Sequence, residues 1–249
     1  MKLRFDHVFN VDKNFTFRKK LGDAGFNLVE REVEHPGKHF CRFIMFPEPD
    51  GKRQYLEFIH VGAGGEPLDM SGISLAAGSA LEPFSKTLNS KVKTDFGHKN
   101  YEWKKNNTDR LPGWNFVMFP KHKSKVFTWL TEYEFSKKRK MPKKKDSTHP
   151  NGTHKIFEFN MQLSLGDVKL YTHLLGKPVK NEFRLDNGTT VKFKIAKNSR
   201  IDSVVILTKN LKHMVQNFKW DQLISYNGQA GVMIKHPNSK MWDVIVIQG

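Results

Sequence analysis

A plan of strand, short helix and further strands recurs along this chain, and the repetition constrains the fold more than any single motif. The first copy spans about Met1 to Gly62. Leu3 to Val11 alternates around His7, Phe9 and Val11, as a strand with one covered face does. Lys13 to Ala24 places Phe15, Leu21 and Ala24 at helical spacing, and Gly25 stops the run. Phe26 to Val33, Phe40 to Phe46 and Gln54 to Val61 read as strands, the last two separated by the turn Pro47-Glu48-Pro49-Asp50-Gly51.

Weaker copies follow. The second runs from about Gly72 to Phe135, with strands expected at Gly72 to Ala77, Tyr101 to Lys105, Trp114 to Phe119 and Phe127 to Phe135 and a helix over Ser79 to Leu88. The third begins near His154, with a strand at Ile156 to Leu163 and a helix at Asp167 to Leu175 that Gly176 and Pro178 end. Two strands, Phe183 to Leu185 and Val191 to Ile195, then flank the hairpin signal Asp186-Asn187-Gly188. The fourth has a strand at Ile201 to Leu207, a helix through Leu211, Val215 and Phe218, and strands at Gly231 to Lys235 and Met241 to Ile247. The period, about 50 to 70 residues and irregular, is not that of a solenoid. The pattern predicts an α+β protein of paired βαβββ modules. It divides as 1–135 (two units and the expected cleft), a basic linker at 136–153, and a second domain at 154–249. An α+β chain that alternates strands and helices without duplication is the alternative.

Hydrophobic residues make up 38% of the 249 and include 20 Phe, enough to fill ordinary cores and to exclude global disorder. One cysteine, Cys41, rules out an internal disulfide and a cysteine-rich zinc site. No stretch approaches the length of a membrane span, and MKLRFDHVFN has no long apolar core behind its basic residues, so no membrane association and a cytoplasmic protein are expected. The net charge of +17 attracts anions of any kind, and much of it lies between Lys121 and Lys145. The run Lys137 to Lys145 has no interleaved aromatics, which argues against base stacking and leaves a solvated linker first and nonspecific phosphate contact with nucleic acid second. Gly62-Ala63-Gly64-Gly65 has neither P-loop nor dinucleotide-binding spacing and reads as a bridge between units.

Chemistry concentrates in the first unit. His7 lies in its first predicted strand and Glu57 in its last, and a ring nitrogen with a carboxylate oxygen is half of a divalent-metal site. The order Asp6-His7, His35-Pro36-Gly37, Cys41-Arg42, Tyr55-Leu56-Glu57-Phe58 resembles the glyoxalase-like branch of the vicinal oxygen chelate superfamily (glyoxalase, bleomycin-resistance and dioxygenase proteins). Trp129-Leu130-Thr131-Glu132-Tyr133 resembles the aromatic strand that closes the family's second unit, and His149-Pro150-Asn151-Gly152 its entry to the second domain. Two departures stand out. Cys41 replaces the family's Asn, and Gly72 to Ala76 offers no His, with Ser74 the nearest polar side chain.

The resemblance implies a cleft for a small oxygen-rich molecule and a metal set of His7, Glu57 and Glu132, which suits Zn, Mn, Fe, Co or Ni. Such a metal would act as a Lewis acid in a lyase, isomerase or oxygenase, with Glu132 alternatively serving as catalytic base. Arg42, His35, His39 and Trp129 are the expected substrate-binding residues, Arg42 gripping a carboxylate or phosphate or else pairing with Glu57 or Glu132. Cys41 reads as a buried, inert thiol. Lys192 and Lys194 argue against a second metal site, making the C-terminal domain a degenerate partner. Three functions remain open. They are a metal-dependent enzyme, a non-catalytic module that sequesters a small molecule, anionic or neutral, without metal while His7 hydrogen-bonds a glutamate, and a basic interaction protein.

Overall fold

The structure, a computed structural model, describes residues 2–30, 32–35, 37–47, 53–78, 80–99, 114–133 and 144–249. The first unit contributes β1 (Leu3–Val11), α1 (Thr16–Asp23), β2 (Glu32–His35), β3 (His39–Pro47) and β4 (Arg53–Val61). The second contributes β5 (Ser71–Ala77), α2 (Leu81–Asn89), β6 (Asp95–Lys99), β7 (Trp114–Met118) and β8 (Val126–Tyr133). These strands form one sheet in the order β2-β3-β4-β1-β5-β8-β7-β6. Within each unit the first strand runs parallel to the last, and the units join through the antiparallel pair β1–β5.

The third unit is β9 (Thr153–Leu163), α3 (Leu165–Leu175), β10 (Glu182–Arg184) and β11 (Thr190–Ile195). The fourth is β12 (Arg200–Thr208), α4 (Leu211–Asn217), β13 (Gln222–Tyr226), β14 (Gln229–Ile234) and β15 (Asp243–Gln248). Their sheet has the order β10-β11-β9-β12-β15-β14-β13, again joined through an antiparallel first-strand pair, β9–β12. The fold is therefore α+β, built of paired βαβββ modules of the vicinal-oxygen-chelate type, with the third unit one strand short.

Local chemistry accounts for the elements. Asp12 lies just ahead of α1, and its carboxylate accepts the Phe17 and Arg18 backbone N–H groups at 2.9 and 2.8 Å, supplying the acceptors that a helix start lacks. Ser164 caps α3 by accepting the Asp167 N–H at 3.1 Å, and Asn210 caps α4 through the His213 N–H at 2.9 Å. Gly25 follows the end of α1 at φ +82, a left-handed conformation that favours glycine, and a Cβ there would lie 2.7 Å from the Phe218 ring.

One expected strand is absent, one strand was not foreseen, and one expected strand lies outside the described residues. Residues 26–30 are not a strand, because their polar groups are engaged elsewhere. The Asn27 N–H donates to His149 Nδ1, and the Val29 carbonyl accepts from the Arg18 guanidinium. β13 had no sequence signal, since it is an edge strand with Leu223 57% exposed and little alternation to read. The strand expected at Tyr101 to Lys105 lies outside the described residues, and β6 precedes it at Asp95–Lys99.

One apolar cluster is continuous between the sheets, running from Phe5, Val8 and Phe58 to Phe159, Val204 and Trp242. Phe5 meets Phe159 with ring centroids 4.7 Å apart, and the buried Trp242 indole N–H donates to the Phe9 carbonyl at 3.2 Å. Each sheet thus spends one face on the shared core. The other face of the first sheet holds Phe9, Cys41, Phe43 and Ile59, with Tyr55 and Trp129 beside them. Among the described residues, no helix is long and apolar enough to cross a membrane.

Candidate functional site

That second face of the first sheet carries a polar chain that reaches from β4 to β8. Tyr55 and Tyr133 lie on β4 and β8, three places apart, where flat strands would be separated by about 14 Å. Their hydroxyls nevertheless meet at 3.1 Å. Between them sits His7, stacked on Tyr55 with centroids 4.3 Å apart and edge-on to Trp129 at 5.0 Å.

A break in register between Phe5 and His7 lets consecutive residues cooperate here. Asp6 Oδ2 accepts from His7 Nδ1 at 2.6 Å and from the Tyr133 hydroxyl at 2.9 Å. On the far side of the ring, His7 Nε2 donates to Glu57 Oε2 at 3.2 Å. Asp6, His7 and Glu57 are all buried, so two carboxylates share one imidazolium in a nearly dry setting. Burial opposes charge on the ring, yet the hydrogen bonds and charges of Asp6 and Glu57 outweigh it, and the His7 pKa is raised to about 9. Burial also works against ionised Glu57, but His7 foremost, then His35 and the Cys41 thiol, holds its carboxyl below the usual range. Burial, then the charge of Asp6 or its coupling to the neighbouring phenol, pushes Tyr55 and Tyr133 well up, so both remain neutral hydrogen-bonding groups. Burial, followed by Glu57, pushes the Cys41 thiol far up as well.

The expected site residues divide cleanly. His7, Glu57, Trp129 and His35 share this face, and Cys41 joins them. Glu132 does not. Side chains alternate along β8, so the face that presents Trp129 and Tyr133 turns Leu130 and Glu132 the other way. Glu132 Oε2 instead accepts the Leu81 N–H at the start of α2 at 3.2 Å, leaving Tyr133 as the β8 side chain in the polar chain. The geometry therefore withdraws Glu132 as metal ligand and as base. Arg42 is also turned away. It registers with Phe58, a residue of the shared core, pairs with Glu32 at 2.8 Å, and lies 4.6 Å over the Phe15 ring. His39 donates from Nε2 to the Glu66 carbonyl at 2.8 Å and so ties down the loop after β4.

Sequence reasoning gave Asp6 and Tyr55 no role of their own, whereas the strand alternation that places Tyr133 beside Trp129 was available in it. Ser74, in register with both His7 and Trp129, is fully buried, and its Oγ has no hydrogen-bond partner among the described residues. An orphaned hydroxyl beside an imidazole and a carboxylate fits a site that receives an oxygen-bearing group or a hydrated metal. The donor set fits a divalent cation too, with Glu57 ionised and His7 able to ligate once its Nε2 proton leaves.

The corresponding face of the second sheet is internally closed. Glu158 is 1% exposed and bonded by Lys192 at 2.8 Å and by the Tyr226 hydroxyl. Tyr226 also donates to Asn160 at 2.9 Å, and Asn160 to Ser203 at 2.9 Å. Of the basic stretch, residues 134–143 lie outside the described residues.

Comparison with known proteins agrees with this architecture. No protein-family model matches the chain, and no curated protein matches it. Solved structures do. A hypothetical protein from Staphylococcus aureus is similar over 98% of this chain and 99% of that one, at 12% identity and TM-score 0.62. BphC, a halotolerant catechol dioxygenase, is similar over 100% of this chain and 87% of its own, at 10% identity and TM-score 0.62. A catechol 2,3-dioxygenase is similar over 100% and 94%, at 13% identity and TM-score 0.57. At these identities the likeness is one of fold.

Proposed function

We propose that the chain is a divalent-metal-dependent enzyme whose cleft, on the face of the first sheet away from the shared core, takes a small oxygen-rich molecule. The observation that carries this reading is the buried Asp6–His7–Glu57 chain set among Tyr55, Trp129 and Phe9. A buried charge cluster set among aromatic rings costs stability, and such clusters gather at functional sites. Likeness of fold to catechol dioxygenases supports a cleft of this kind.

Glu57 and His7 would hold the metal, which when bound supplies Lewis acidity to substrate oxygens. Asp6 fixes His7 through Nδ1, as outer-sphere carboxylates do for ligating histidines, and Tyr133 fixes Asp6. Trp129 and Tyr55 give a planar substrate aromatic contact, and the orphaned Ser74 hydroxyl is left to meet an oxygen. The reaction class is a lyase, isomerase or oxygenase reaction. A second reading, binding without turnover, is favoured by one specific feature: both His7 nitrogens already have carboxylate partners, so the cluster is electrostatically complete without a metal.

Elemental analysis of tag-free protein, beside a His7→Ala, Glu57→Ala double variant, separates the two. We expect near-stoichiometric metal in the parent and none in the variant. A panel of catechols and α-hydroxycarbonyl compounds should then quench tryptophan fluorescence saturably, with the response lost in Trp129→Phe. Absence of metal in both proteins after supplying Mn, Fe, Co, Ni and Zn would refute the metalloenzyme and leave the binding cleft. Absence of any response from Trp129 would refute both.

A further inference from the structure

The cleft has a second convergence, offset from the His7 ring toward β2 and β3. His35 ends β2, Cys41 lies on β3 and Glu57 on β4. One ring nitrogen, the sulfur and one carboxylate oxygen of these three all lie within 4.8 Å of one another. Register explains the meeting. His35 pairs with His39 and Val33 with Cys41, so His35 and Cys41 share a face across the β2–β3 hairpin. Cys41 pairs with Ile59, placing it diagonally beside Glu57 on the same face of β4. Cys41 is 1% exposed and Glu57 is 8% exposed, whereas His35 is only half-buried and closes the group from its open side.

We propose that His35, Cys41 and Glu57 form a thiolate-containing Zn2+ site, with His7 Nε2, 3.2 Å from Glu57 Oε2, completing a tetrahedral set. Nitrogen, sulfur and carboxylate oxygen are the three donor types that zinc takes, and four such ligands at about 2.0–2.3 Å stand about 3.3–3.8 Å apart. The donor atoms of His35, Cys41 and Glu57, all within 4.8 Å of one another, close to that by about 1 Å of side-chain adjustment. The charges agree. Without metal, Glu57 holds the Cys41 S–H and the His7 N–H as donors. A dication replaces those two protons, which leave to solvent, and no other bond changes. Soft sulfur selects against Mg2+, Ca2+ and Mn2+. The inference rests on the proposed cleft for its setting and narrows its chemistry. Zinc has no redox step, so the cleft would serve Lewis-acid and proton-transfer reactions rather than oxygenation.

The test is metal titration of tag-free, chelator-treated full-length protein. Zn2+ should bind at one per chain, and Co2+ at the same site should give the intense near-ultraviolet thiolate-to-cobalt absorption. Cys41→Ser should abolish that band and weaken Zn2+ binding by at least about tenfold, the scale on which even outer-sphere changes act. His35→Ala, at a half-buried strand end, should weaken binding while keeping the band, which guards against misfolding of the buried serine variant. Stoichiometric Co2+ without the band, an affinity unchanged in Cys41→Ser, or no binding of either ion would each overturn the proposal. Quenching of Trp129 by the catechol and α-hydroxycarbonyl panel in the same samples reports the cleft separately, so a failed metal site and a failed cleft give different results.

Discussion

His149 couples the joint between the two sheets to pH, and the coupling can be measured. Its ring is 5% exposed and sits against Phe26 and Phe46. Nε2 donates to the Met45 carbonyl at 2.9 Å, and Nδ1 accepts the Asn27 N–H at 3.0 Å. Both nitrogens are therefore used, and in the neutral form only. A second proton on Nδ1 would face an N–H and break that bond. Burial, opposed only by the bond to Met45, pushes the pKa from 6.5 down to about 4. Because the folded value is depressed, the unfolded chain takes up the proton first as pH falls. The stability linked to this histidine is thus complete above about pH 7.5, falls between 6.5 and 4, and is fully lost below. Integrated, the loss is about 2 kcal/mol by pH 5 and about 3 kcal/mol below pH 4. Urea unfolding at pH 7.5 and pH 5 measures it, provided that the shared core unfolds in one transition. His149→Gln keeps a neutral donor and acceptor and cannot titrate, so its stability should fall by about 2 kcal/mol less than that of the parent over the same interval. His154 and His236, both also depressed by burial, contribute equally to both proteins and cancel in the difference. Parallel decline of parent and variant would refute the assignment.

Two further outcomes follow from the contacts. Glu132→Ala removes the acceptor at the first turn of α2 and should cost about 1 kcal/mol in urea unfolding. Metal content and Trp129 quenching should be unchanged in that variant, and loss of either would return Glu132 to the cleft. Asp167 is 1% exposed and accepts from His122 at 2.7 Å, Ser164 at 2.7 Å, Ser124 at 3.0 Å and the Ser199 hydroxyl, which ties the β7–β8 turn to the start of α3. Asp167→Ala strands these donors and should cost about 3 kcal/mol, with hydrogen exchange accelerating first around 164–168. A loss under 1 kcal/mol would show that the donors find water instead.

How much was legible depended on the scale of the signal. Hydrophobic alternation located β1, β3, β4, β5 and β8 to within a residue or two, because each buries one face against a core. Side-chain direction is legible too. Trp129 and Glu132 lie three positions apart and cannot both face one side of a regular strand. Since Leu130 belongs to the core, Trp129 and Tyr133 had to be the cleft residues. The same parity separates Arg42 from Cys41. The break in register that lets Asp6 grip His7 leaves no trace in alternation, because one extra residue costs nothing recognisable in composition. Residues 26–30 misled for a different reason. Their apolar side chains do pack, but their backbone bonds go to His149 and Arg18 rather than to a neighbouring strand.

The two sheets solve one electrostatic problem in different ways, and the difference bears on where chemistry can occur. Each buries a carboxylate on its free face and must neutralise it. In the second sheet Lys192 and Tyr226 do so for Glu158. Burial and then the bond to Glu158 push the Tyr226 phenol up, and the Lys192 ammonium already occupies the carboxylate, so that network offers an entering cation nothing to displace. In the first sheet His7 and the Cys41 thiol stand against Glu57. Imidazolium and thiol are the donors that become good ligands on losing a proton, and a dication can drive that loss. A metal entering the first sheet exchanges charge for charge, whereas one entering the second would have to expel Lys192 and leave its ammonium uncompensated. The lysine that made the second domain look degenerate in sequence is thus a built-in counter-ion, and the replaceable protons around Glu57 favour the first sheet as the working face.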